Sequence, residues 1–174
     1  EAQVTRAGGH VHWARNAAEA RSIVLAIARA HNVQRVVKAK RKATEEINLN
    51  HALEEAGIQT LETDLGEYIV QLAGEMQSHI IVPAVHLTKE GIAELFREKL
   101  GLDAPAEPTA LAAIARTRLR EAFLAADMGI SGANFMVAET GTIVLVTNEG
   151  NGRMCTTLPP VHVAIAGIDK VVPD

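Results

Sequence analysis

Residues 133–153 read ANFMVAETGTIVLVTNEGNGR, and their interpretation decides the fold class. Two apolar runs, 135–138 and 143–146, flank the polar turn Glu139-Thr140-Gly141-Thr142, which is the pattern of a hairpin. The second run, Ile143-Val144-Leu145-Val146, is apolar on both alternating faces. That pattern predicts a strand buried in the middle of a layered α/β domain rather than one half exposed to water. A loop beside such a strand holds polar groups rigidly against a low-dielectric interior, and Glu149, Asn151 and Arg153 are concentrated in residues 148–153. Asn-Glu-Gly-Asn-Gly is also ordinary turn chemistry, so the segment reads either as a plain loop or as one end of a site.

Outward from this stretch, a chain of 174 residues is expected to form one domain with a substantial core. It is 48% hydrophobic, 22% charged and 3% aromatic, with a net charge of −4, which describes a globular protein with an aliphatic core. The charge and the scarcity of stacking aromatics argue against nucleic acid as a partner. No apolar run is long enough to span a bilayer, and the opening EAQVTRAGGH lacks a signal-peptide pattern. The single cysteine, Cys155, excludes an internal disulfide and a cysteine-built metal site within this stretch. A cytoplasmic setting is the expectation. Because the sequence opens at Glu1 and closes after an apolar run, it is also expected to be a piece of a longer protein.

In chain order, Asn16 followed by Glu19 predicts a capped helix to residue 30. The pair His10 and His12 shares a face if extended, but no third metal ligand lies nearby. Val36-Val37 reads as a short buried strand, followed by a basic loop and a helix over 44–56 closed by Gly57. Lys38 and Lys40 alternate out of the strand end and Thr44 caps the helix, an arrangement suited to a small carboxylate or other anion. Glu45 and Glu46 in the same first turn, however, already complement the helix dipole. Further strands are predicted at 58–61, 79–84 and 161–166, the last of them buried. Helices are predicted at 68–73 after an Asp64 cap, at 89–100 between Thr88 and Gly101, and at 110–126 after the Pro-containing linker 102–109. The order β-α-β-α-β-α-α-β-β-β indicates an α/β fold, Rossmann-like and mostly parallel, with flanking helices and a mixed or antiparallel C-terminal section.

Several chemistries find no support. There is no Gly-x-Gly-x-x-Gly, no P-loop and no Gly-x-Ser-x-Gly. Cys155 has no visible base beside it and reads as a small buried thiol. The remaining candidates for catalysis are the carboxylates Glu139 and Glu149, with Arg153 or a lysine as electrostatic partner.

Four runs in order, Lys38-x-Lys40…Thr44-Glu45-Glu46-Ile47, Glu62-Thr63-Asp64-Leu65-Gly66-Glu67-Tyr68-Ile69, Ser78-His79-Ile80-Ile81-x-Pro83-Ala84-x-His86 and Gly132-Ala133-Asn134-Phe135-x-x-Ala138-Glu139-Thr140-Gly141-Thr142-Ile143, carry a further reading. With Asn148-Glu149-Gly150-Asn151 and Leu158-Pro159-Pro160-Val161-His162 behind them, they resemble the LUD domain of lactate-utilisation iron–sulfur proteins. The resemblance implies a single LUD-type domain over residues 1–174, with a fold like that of the sugar-phosphate isomerase and CoA-transferase superfamily. It implies participation in the oxidation of L-lactate to pyruvate, with other lactate-utilisation proteins as partners. It also implies 4Fe–4S clusters, held in a C-terminal ferredoxin-like region outside this chain and not in it.

Three functional readings follow. In the first, Lys38, Lys40 and Thr44 receive a small carboxylate, and the loops carrying Asn134, Thr140, Gly141, Asn151 and Arg153, with Glu139 and Glu149, complete the pocket; the stretch alone is then not a complete enzyme. In the second, Glu139 or Glu149 attacks an acyl group as in an acyl- or CoA-transferase. In the third, the domain is a non-catalytic assembly module of the lactate-oxidation system.

Overall fold

The computed structural model describes residues 1–39, 42–74, 84–147 and 149–174. In chain order the elements are α1 (Ala2–Arg6), α2 (Ala17–Ala30), β1 (Arg35–Lys38), α3 (Lys42–Glu46), α4 (Leu49–Glu55), β2 (Gln59–Glu62), α5 (Leu65–Ala73), α6 (Lys89–Leu100) and α7 (Pro108–Ala125). They continue as β3 (Met128–Ser131), β4 (Phe135–Val137), β5 (Thr142–Val144), α8 (Asn151–Thr157), β6 (Val161–Ala164), a 3-10 turn (Ile168–Lys170) and β7 (Val171–Val172).

The main sheet is parallel throughout, with strand order β2-β1-β3-β6. Its two central strands, β1 and β3, are buried on both faces apart from Arg35, because both faces are covered. Val36, Met128 and Ile130 pack with Val24, Ala28, Leu49 and Leu53 of α2 and α4. Val37 and Ala39 pack on the opposite face with Phe123 of α7 and Cys155 of α8. A further cluster of Tyr68, Ile69, Phe96 and Leu111 joins α5, α6 and α7. The β1–β2 connection moves to one side of β1, and the β2–β3 connection returns across it to the other. The C-terminal ends of β1 and β3 therefore flank the point where the winding reverses, the usual ligand position in open α/β sheets.

Local signals place the helices. Asn16 accepts from the Glu19 amide at 2.9 Å, and Glu19 reaches back to the Arg15 amide at 2.9 Å. Asp64 accepts from the amides of Gly66 and Glu67, and Thr88 from that of Gly91. Gly101 ends α6 in the left-handed conformation. Asp127 joins α7 to the sheet by accepting from the Gln34 and Arg35 amides at 2.9 and 2.8 Å.

The structure departs from the sequence reading in four places. The hairpin exists, with Phe135 opposite Val144 and Val137 opposite Thr142, but it belongs to a separate three-stranded sheet of order β5-β4-β7. Its second strand is an edge, with Ile143 42% and Val146 65% exposed. The central buried strand of this region is β3, whose four residues are all buried. Second, the helix expected over 44–56 is two helices, because Asn48 takes a left-handed conformation (φ 50°) that Asn tolerates better than most residues; the first begins at Lys42, so Thr44 lies within it and does not cap it. Third, residues 151–157, read as loop and beyond, form α8. Fourth, β6 is the sheet's edge and only partly buried. The predicted strand over 79–84 lies outside the described residues except for Ala84, which sits in a turn.

Gly129 sets the spacing between β3 and α8. A Cβ there would lie 1.8 Å from the Cys155 carbonyl oxygen, a backbone atom that cannot step aside. Gly129→Ala in the full-length protein is expected to destabilise this domain by more than about 3 kcal/mol. Gly91→Ala, which meets only the Thr88 hydroxyl at 3.5 Å within α6, should be neutral or stabilising by up to about 1 kcal/mol; urea titrations of the two variants check both. Hydrogen bonds from the Gln34 and Arg35 amides hold the Asp127 carboxyl below its ordinary value of 3.8. A depressed carboxylate stabilises fully above its unfolded pKa, and that contribution is lost as pH falls from 3.8 through the lower folded value. Asp127→Ala should therefore cost about 1–2 kcal/mol at pH 7, and the gap to the parent should narrow in denaturation curves below pH 4.

Candidate functional site

Lys38 is the last residue of β1, and its register partner on the parallel neighbour β2 is Glu62. Register partners project to the same face of a sheet, so a basic and an acidic side chain are set beside each other inside the α3–α4 layer. The Lys38 ammonium is 1% exposed. It donates to Glu62 Oε1 at 2.8 Å and to Thr44 Oγ1 at 2.9 Å. Asn50, from α4, donates its Nδ2 to the same Glu62 oxygen at 2.7 Å. The left-handed turn at Asn48 makes this possible, since it separates the helix that carries Thr44 from the one that carries Asn50. Gln71 of α5 fixes the end of β2, accepting from the Glu62 amide at 2.9 Å and donating to the Thr60 carbonyl at 2.7 Å.

The opposite face of the same strand ends is polar too. The Thr63 hydroxyl donates to the Lys38 carbonyl at 2.9 Å and lies 3.6 Å from the Cys155 thiol. Asn151, the first residue of α8, donates to that hydroxyl at 3.4 Å. Burial pushes the Cys155 thiol up to about 11, with Thr63 pulling it slightly down, so near neutral pH it is a protonated packing group and not a nucleophile. At the end of β3, the buried Ser131 hydroxyl is 2.8 Å from His162 Nε2 and donates to the Gly132 carbonyl at 3.1 Å. Desolvation lowers the pKa of His162, which keeps the ring neutral at pH 7.

Of the residues singled out from the sequence, Lys38 and Thr44 are brought into contact, and Asn151 meets the same strand ends from the other face. Asn134 sits at the open end of the hairpin, where its side chain accepts from the Val146 amide at 2.9 Å. Glu139, Thr140 and Gly141 occupy the closed end. The Glu139 amide donates to the Pro173 carbonyl at 3.0 Å, Thr140 bonds to Thr142, and a Cβ on Gly141 would lie 2.7 Å from the Val4 amide nitrogen of α1. Glu149 and Arg153 are exposed around the start of α8. Lys40 lies outside the described residues. His10 and His12 are exposed, and no group of three or more metal-ligating side chains occurs among the described residues.

Glu62, Asn50 and Thr63 escaped the sequence reading as site residues. The available signal was Glu62 itself, a buried carboxylate at the end of β2, an edge strand among the described residues. Its partner is a lysine 24 positions earlier, and only the strand register joins them.

Chemically the arrangement is a charge-neutral pair held out of water. Two of the three ammonium hydrogens of Lys38 are committed to Glu62 and Thr44. Glu62 Oε2 and Asn50 Oδ1 have no hydrogen-bond partner among the described residues. An anion arriving here would compete with Glu62 for the ammonium, while a hydroxyl or water would satisfy acceptors already in place.

A family model described as the LUD domain matches residues 1–174. An "uncharacterized electron transport protein YkgF" of Escherichia coli K12 is 49% identical over 171 residues, which cover 98% of this chain and 36% of that protein. Proteins named lactate utilization protein B from Macrococcus caseolyticus and Bacillus subtilis are 50% and 46% identical, with the same coverage. The chain thus spans about a third of the length of these curated relatives. No solved structure matches.

Removing one member of a buried ion pair strands the other charge. Lys38→Met is expected to destabilise the domain by about 3–5 kcal/mol, Glu62→Leu by a similar amount, and the double variant by much less than their sum. Equilibrium denaturation of the three variants reads the coupling directly.

Proposed function

The chain belongs to the LUD domain family, and from that footing we propose that it is the ligand- or partner-binding domain of an iron–sulfur electron-transfer protein that takes part in the oxidation of L-lactate to pyruvate. The observation that carries this reading is the end-to-end similarity to proteins named for lactate utilisation and electron transport. The geometry supports the ligand side of it. The polar cluster of Lys38, Thr44, Glu62 and Asn50 lies at the C-terminal ends of parallel strands beside the reversal of winding, where small molecules bind in open α/β sheets. A 2-hydroxy acid or its keto product offers the two complementary groups, a carboxylate for the basic residues Lys38, Lys40 and Lys42 and a hydroxyl for the Glu62 carboxylate.

A 4Fe–4S cluster does not fit the residues of this chain. Each cluster takes four thiolates, and the one cysteine here is buried with its proton held to about pH 11. In this proposal the clusters are held by cysteines of the longer polypeptide, and the domain's own contribution is binding and orientation. Other lactate-utilisation proteins are its partners.

The test is made on the full-length gene product. The expected result is about eight iron and eight acid-labile sulfide per chain, with lactate-dependent reduction of an electron acceptor in the reconstituted system. Lys40→Ala and Asn151→Ala should then slow lactate-dependent reduction at least ~10-fold while leaving iron content and folding unchanged. A product without iron would overturn the electron-transfer role, and unchanged turnover in both variants would overturn the assignment of the ligand to these strand ends.

A further inference from the structure

The small sheet is apolar on both of its faces. By register, Phe135 and Val144 project to one side, whereas Met136, Ile143 and Val171 project to the other. Phe135 is 50% exposed on the first face; Ile143 and Val171 are each 42% exposed on the second. Exposed apolar side chains on two opposite faces of one sheet are not the surface of a finished domain, since an isolated ribbon of this size gains its stability from cover on at least one face. Among the described residues, no strand pairs with the outer edge of β6 in the main sheet either. The Ile165 amide donates to the Ser131 carbonyl, so Ile165, Val163 and Val161 turn their amides toward β3, and those of His162 and Ala164 point away from the sheet. Val161, Val163 and Ile165 pack against the α2–α4 core while remaining partly exposed.

We infer that β6 and both faces of the β5-β4-β7 sheet form one intramolecular interface, covered by the remainder of a longer polypeptide, which adds a strand beside β6 and packs over the small sheet. Two observations select this occupant over a second copy of the chain. A two-fold contact is a single self-complementary patch and covers one face of a sheet, whereas here two opposite faces of one sheet and the edge of another need cover together. In addition, pairing a further parallel strand with β6 takes a crossover of a dozen residues or more, and the relatives carry the larger part of their length outside the matched stretch. The inference depends on that extra length and not on lactate or iron, so it stands or falls separately from the functional reading.

Hydrogen exchange on the full-length protein tests it. In the monomer, the amides of His162 and Ala164 should exchange at least ~100-fold more slowly than in an unstructured peptide, as paired strand amides do. Phe135→Glu and Ile143→Glu, one on each face, should each lower the melting temperature of the full-length protein. Leu124→Glu, at an equally apolar but 66% exposed position of α7, should leave it unchanged. Unprotected exchange at both amides in the monomer would overturn the proposal. So would protection that disappears on dilution, which marks a second copy, or protection that arises only when another protein is added. A gene product with no residues beyond this stretch would overturn it outright.

Discussion

The ion pair between Lys38 and Glu62 is the constraint around which the strand ends are arranged. Both groups lie deep in the protein, where an uncompensated charge costs several kcal/mol. The cost is met by short contacts from three separate elements: Glu62 from the adjacent strand, Thr44 from α3 and Asn50 from α4. Each requires its element to be in place, so the pair fixes the register of β1 against β2 and the point at which α3 gives way to α4. Such a pair is weak evidence for net stability, because a hydrophobic pair of the same volume often does as well. What it supplies is a fixed polar cluster in a position where a packed apolar end would leave nothing for a ligand to meet.

How much of this was legible in the sequence depends on the range over which each signal acts. Asn16, Asp64, Thr88 and Gly101 act within one helical turn, and each takes the role that its residue type and spacing predict. The hairpin at 135–144 was legible for the same reason, whereas Thr44 was read as a cap and instead lies within α3, bonded to Lys38. The Lys38–Glu62 contact was not legible, because strand order and register decide it and neither is encoded within a local window. The break at Asn48 was hidden because no proline or glycine marks it. The helix at Asn151–Thr157 was hidden because Gly150, Asn151 and Gly152 at its start are turn formers, and it is held in place by contact with Gly129 and Thr63.

The run Ile143–Val146 shows how a correct local reading can lead to a wrong placement. Apolar residues on both alternating faces do mean that both faces call for cover. The sequence reading took the cover to be the helices of the main sheet. In the structure that role falls to β3, whose Gly129 makes the strand look less regular but lets α8 approach closely. The hairpin keeps the same two-faced pattern without those helices.

Under the proposed function, the interior of the domain serves recognition rather than electron storage. Its buried Lys38 and Glu62 are paired with each other, and its one thiol holds its proton. Neither is a place to store an electron. The Lys38 cluster instead holds polar groups still in a dry interior, which favours recognition because prearranged partners lose little freedom when a ligand arrives. In the proposed assembly, the domain would set where and in what orientation the donor or partner sits, and the iron–sulfur clusters would take up the electrons. The apolar small sheet then matters as much as the polar strand ends. If the longer chain packs on it as inferred, the distance between bound ligand and cluster is fixed by a continuous, close-packed interior rather than by a flexible linker.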